Sequence, residues 1–143
     1  MKNLLKLSVI FTLVFGFISC NENNNSQKQN TKQNEKAVMV FEQMDHDFGT
    51  VTEGEKVIYS FKFTNTGKVD LHLTSVGTSC GCTASNYPHQ AIKAGDTGQI
   101  QVTFNSANRL GMQHKKVTIR ANTDPQFTVL NVYAKVIEKN SEN

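Results

Sequence analysis

The sequence predicts an all-β fold: an immunoglobulin-like β-sandwich of about seven strands, preceded by a signal peptide and a disordered tether. Three observations predict it. Apolar and polar residues alternate at period two through several runs between Lys56 and Ile137, turn-forming residues recur about every ten positions, and nothing after residue 37 holds a 3.6-residue apolar period over three turns. At 143 residues, with 38% hydrophobic and 19% charged, the chain has room for one domain and some excess, which argues against a two-domain enzyme. Two prolines, three cysteines and no tryptophan fit neither a disulfide-dense miniprotein nor a Pro/Gly-rich disordered chain.

The excess lies at the N-terminus. Lys2 and Lys6 precede an apolar run from Leu7 to Ile18, the charged and apolar parts of an export signal, too short to span a bilayer comfortably. The run ends in Phe17-Ile18-Ser19-Cys20, which resembles the lipobox of bacterial lipoproteins. That resemblance implies cleavage after residue 19 and acylation of Cys20 with palmitate-type chains. Two or three acyl chains exceed the threshold for stable attachment, so the mature protein is expected to be anchored to a membrane without spanning it. Residues 20–37 then form the lipidated cysteine and a flexible tether: Asn21 to Lys36 contains no apolar residue, and nine of the fifteen residues from Asn21 to Glu35 are Asn or Gln. Such a segment buries too little apolar surface to offset the entropy of ordering it. As a coil of about 16 residues it reaches on the order of 20 Å.

The formal charge of +3 suggests a nucleic-acid binder until it is located. Without residues 1–19 the count is 13 basic against 12 acidic, and from Val38 to Asn143 it is 10 of each. No nucleic-acid partner is therefore expected.

Residues 38–143 read as the sandwich domain. Val38 to Glu42 and Phe48 to Val51 supply one or two short strands. From Lys56 to Thr64, Val57, Tyr59, Phe61 and Phe63 fall on one face and Lys56, Ser60, Lys62 and Thr64 on the other, a half-buried strand broken only by Ile58. Asn65-Thr66-Gly67 offers turn chemistry, and Val69, Leu71 and Leu73 alternate beyond it, so these two runs are expected to form a hairpin. Ile100, Val102 and Phe104, then Val117, Ile119 and Ala121, mark two more strands with one wet face. In the last run, Phe127 to Ile137, Leu130, Val132, Ala134 and Val136 oppose Phe127, Val129, Tyr133 and Ile137, which predicts burial on both faces. A small barrel is the alternative closure of such a strand set.

Phe41, His46-Asp47-Phe48-Gly49-Thr50-Val51, Glu53-Gly54-Glu55, Phe61 through Gly67, Leu71-His72-Leu73, Ser79-Cys80-Gly81-Cys82-Thr83, Ala94-Gly95-Asp96, Ile100 to Phe104 and Lys115-Lys116-Val117 together resemble a bacterial family known as domain-of-unknown-function 1573. The resemblance covers about residues 38–137. It implies a sandwich similar to the PapD-like and ASPM/SPD-2/Hydin domains and an envelope lipoprotein, and it brings no activity with it.

The most suggestive chemistry is Cys80-Gly81-Cys82, in a turn-rich stretch after the strand ending near Val76. Three readings stay open: a structural or reduced pair, a redox-active pair in an oxidising compartment, and a soft-metal site using the two thiolates for Cu(I) or Zn(II). His72, His89 and Met112 are candidate further ligands if the fold gathers them. His46 has no nucleophile beside it, Asp47-Phe48-Gly49 lacks every other part of a kinase site, and no P-loop, G-x-S-x-G or H-E-x-x-H is present. Lys115, Lys116 and Arg109 read as strand-edge and loop charge. The expectation is a non-enzymatic lipoprotein of the bacterial cell envelope, in the outer membrane and facing the periplasm or the surface. Its partners would be the membrane, through Cys20, and another protein, and it would need no cofactor. The alternative is thiol-redox or soft-metal chemistry at Cys80 and Cys82.

Overall fold

In the computed structural model the described residues are 35–79 and 82–139, the side chains of 82–85 excepted. They form eight strands and no helix: β1 (Met39–Phe41), β2 (Asp45–Thr52), β3 (Lys56–Asn65), β4 (Leu73–Thr78), β5 (Cys82–Asn86), β6 (Thr97–Asn105), β7 (Gly111–Ala121) and β8 (Phe127–Ile137). Two four-stranded sheets face each other, ordered β1-β3-β6-β5 and β2-β8-β7-β4. The predicted sandwich is the observed one.

Alternation decides what lies between the sheets. Phe61, Phe63, Ile100, Val102 and Phe104 face in from one sheet and Val117, Ile119, Leu130, Val132, Ala134 and Val136 from the other, all buried. Each of these side chains except that of Ala134 contributes on the order of 2 kcal/mol relative to exposure. Phe63 lies directly over the backbone of Gly98, its partner in the β3–β6 ladder. A Cβ at Gly98 would come within 2.5 Å of the Phe63 ring, so only glycine leaves room for the ring there.

The first strand is split. β1 runs antiparallel to β3 for three residues, then the chain changes sheets and continues as β2, parallel to β8. This places the entry of the domain beside the β7–β8 turn: buried Ala37 bridges Thr123 and donates its N–H to the Asn122 carbonyl at 3.2 Å.

Three expectations fail. β3 and the following run do not form a hairpin: β3 pairs with β1 and β6, whereas β4 begins only at Leu73 and pairs with β7 in the opposite sheet. Leu71, expected within a strand, makes only an isolated bridge with Ile92. Asn65 causes the crossing. Its buried side chain donates to the carbonyls of Val69 and Ile92, both at 2.9 Å, and accepts from the Gly67 N–H at 3.1 Å, so the residues after it coil around an amide instead of folding back. Secondly, the stretch read as turns contains β5, an edge strand antiparallel to β6. Lastly, β8 is buried on one face only. Phe127 is 56% exposed, and Val129 and Ile137 are exposed as well, because no layer covers the outside of this sheet among the described residues.

Candidate protein-binding surfaces

Cys20 and Cys80 lie outside the described residues. Cys82 opens β5 opposite Phe104, and its side chain is likewise outside what is described. Before it, Ser79 closes onto β7: its N–H donates to the Lys116 carbonyl at 3.0 Å and its hydroxyl accepts from the Lys116 N–H at 3.1 Å. The Cys80-Gly81-Cys82 stretch therefore joins the edge strand of one sheet to the edge strand of the other.

The candidate extra ligands have other positions. His72 is exposed, and its backbone N–H donates to Asn122 Oδ1 at 2.8 Å. His89 packs against Tyr87 at 4.4 Å between β5 and β6. Met112 stands 75% exposed on the outer face of β7. Among the described residues no three His, Cys, Asp or Glu side chains are grouped to hold a metal.

Several motif residues have structural work. Asn65 ties one end of the sandwich together, and at the same end Gly67 approaches the chain just before β1 so closely that a Cβ would meet the Val38 nitrogen at 2.7 Å. At the other end buried Ser106 donates its hydroxyl to the Thr52 carbonyl at 2.7 Å and lies 2.9 Å from that of Glu55. The Glu55 carboxylate accepts from the Thr52 N–H at 2.9 Å and that of Glu53 from the Asn108 N–H at 3.1 Å. His46 stacks on Tyr59 at 3.6 Å with Phe48 edge-on at 4.6 Å, and Gln43 Nε2 donates to the Tyr59 hydroxyl at 2.7 Å. Burial pushes the His46 imidazole below its ordinary range, and the Asp47 carboxylate opposes this. His46 is thus a wedge joining β2 to β3, and no local pattern marks Tyr59 as its stacking partner.

The surfaces left open are of two kinds. One is the outer face of the β2-β8-β7-β4 sheet. There Asn131 Nδ2 donates to Asp45 Oδ1 at 2.7 Å, which leaves its oxygen to accept from His114 Nε2 at 3.0 Å, and His114 stacks on Tyr133 at 4.6 Å. Nearer the domain's entry, the Arg120 guanidinium lies 5.9 Å from the Phe127 ring centre. The other kind is strand edge. β2, β4 and β5 are each broken by a register shift, at Asp47/Thr50, Leu73/Ser75 and Ala84/Asn86.

The family described as "protein of unknown function (DUF1573)" matches residues 39–136, from the first residue of β1 to the penultimate residue of β8. The chain belongs to this family. Among solved structures, this DUF1573 domain is similar to a protein of unknown function from Porphyromonas gingivalis W83 (21% identity, TM-score 0.63, 71% of this chain and 47% of that one). The chain thus spans about half of that protein's length. It is also similar to the ASH/PapD-like domain of human CEP192 (14% identity, TM-score 0.57, 73% of this chain and 88% of that one). A further similarity is to the secreted serine protease VesC from Vibrio cholerae (16% identity, TM-score 0.53, 73% of this chain and 24% of that one). At such identities the likeness is one of fold. A comparison with curated proteins finds no match.

Proposed function

We propose that this DUF1573 domain is a non-enzymatic protein-binding module, held on a bacterial envelope membrane by lipid on Cys20. The observation that carries the binding reading is the division of labour among its polar residues. Asn65, Ser106, Asn122 and His46 are committed to holding the fold, whereas apolar side chains such as Ile58, Met112, Phe127 and Val129 stand in solvent on the outer faces. Exposed apolar residues at a sheet face or edge suit association with another chain. The anchoring reading rests on Lys2, Lys6, the apolar run and Cys20, followed by a polar tether that enters the domain at Ala37. An outer-membrane location, on its periplasmic or surface side, completes the proposal.

Metabolic labelling with an alkyne-bearing fatty acid tests the anchor: label on the wild type and none on Cys20→Ser is expected, and equal labelling of both removes it. Photo-crosslinkers placed at Ile58 and at Val129 test the binding role in intact envelopes. A reproducible adduct from one position supports it, and no adduct from either counts against it.

A second reading gives Cys80 and Cys82 thiol-redox or soft-metal chemistry. What favours it is that the stretch is held at both ends, at Ser79 by Lys116 and at the Cys82 backbone by its pairing opposite Phe104. Thiol titration and metal analysis of protein purified without reductant decide it, and two inert, metal-free thiols would remove it.

A further inference from the structure

β3 is covered unevenly. Glu42 donates its N–H to the Lys62 carbonyl at 3.1 Å and the Thr66 N–H donates to Val38, which shows that the backbone groups of the even-numbered residues of β3 point toward β1. β1 pairs only with Phe63–Asn65 and leaves the sheet after Glu42. Toward the start of β3, Ser60, Ile58 and Lys56 thus turn their N–H and C=O groups to a side where no strand pairs among the described residues. The other flanking strands with an open side are interrupted by bulges or, like β1, three residues long. In contrast, β3 pairs with β6 in unbroken register from Lys56 to Thr64, so its bare half is a regular template. Ile58 beside it is 58% exposed.

We infer that this half-edge, Lys56 to Ser60, is a β-addition site for an extended segment of another protein, deepening the binding-module reading on which it rests. Such a segment continues the line of β1 and runs antiparallel to β3. Its side chains opposite Ser60 and Ile58 are small or β-branched, and the one opposite Lys56 is acidic. Lys56 is the cation at the slot's end, because the nearby Glu53 and Glu55 carboxylates are turned to the backbone N–H groups of Asn108 and Thr52. A second copy of β3 brings no acid to Lys56: the antiparallel register setting Ile58 against Ile58 puts Ser60 opposite it, and the one setting Ile58 against Ser60 puts Lys62 there, whose edge is already occupied by Glu42.

The test is an amide NMR titration of the full chain with the capped peptide Thr-Ser-Val-Ser-Glu. The expected result is shifts centred on Ile58 and Ser60 with slowed exchange of their amides. Lys56→Glu should weaken binding about fivefold and strengthen binding of the same peptide ending in Lys. Ser60→Pro, which removes an outward N–H without touching the β6 ladder, should abolish both effects while thermal unfolding shows the variant folded. Shifts centred on β4 or β5, or no shift at millimolar peptide, overturn the inference. Crosslinks from Val129 alongside that negative result would leave the binding-module reading standing.

Discussion

The two halves of β3 share one alternating pattern and have opposite surroundings. The half ending at Asn65 is closed. β1 and β6 flank it, Phe41 packs on Phe63 at 5.4 Å, and the Asn65 amide serves three backbone groups. The half beginning at Lys56 is paired on one side only among the described residues. The contrast teaches that the conspicuous Asn65-Thr66-Gly67 motif belongs to stability, whereas the inconspicuous Ile58, an apparent break in the alternation, lies where association has room.

Substitutions should separate the halves. Asn65→Leu should do most damage, costing about 3 kcal/mol, because the Val69 carbonyl loses its donor, the Gly67 N–H its acceptor and the buried Ile92 carbonyl one of its two donors, and a urea midpoint measures it. If it costs under about 1 kcal/mol, the closed half is not held as described. Ser106→Ala should cost about 1.5 kcal/mol in the same assay, since the β2–β3 turn and the end of β6 share that hydroxyl.

A smaller effect concerns pH. The folded imidazole of His46 sits below its ordinary value, so on acidification the unfolded chain takes up that proton first. Its contribution to stability is full above about pH 6.5 and is lost as pH falls through the ordinary histidine range toward the folded value. Melting temperature should accordingly drop between neutral and mildly acidic pH, and His46→Gln should flatten that slope whatever it does to the neutral value. A slope unchanged in the variant would show that burial of His46 does not disfavour the proton. The smallest expected effect is that of Ile58→Thr, within about 0.5 kcal/mol of wild type by urea unfolding. A much larger loss would mean that Ile58 belongs to the core.

How much of this was legible follows from what alternation encodes. The inward set of β3, β6, β7 and β8 could be read directly, since a period of two assigns a face. It names no partner, so alternation alone makes the run after Asn65 a returning hairpin strand, whereas the structure sends β4 to the other sheet. β5, with Thr83, Ala84, Ser85 and Asn86, has no apolar rhythm and is a strand only because the edge of β6 receives it. Phe127 and Val129 look buried in a list of residues, yet a two-layer sandwich has no third layer to cover them. Of the candidate sites, Cys80-Gly81-Cys82 stood out by spacing and the bare edge of β3 by nothing, because an unpaired backbone leaves no mark on side-chain pattern.

The sequence by itself determined that the chain after residue 37 makes strands and no helix, and that its charge there is balanced, because side-chain hydrophobicity and its period are local properties. Tertiary structure alone decided which strands pair, which edges stay open and which face meets water. Hydrogen-bond partners across a sheet are chosen by distant parts of the chain, and a strand's exposure depends on what the rest of the fold leaves uncovered.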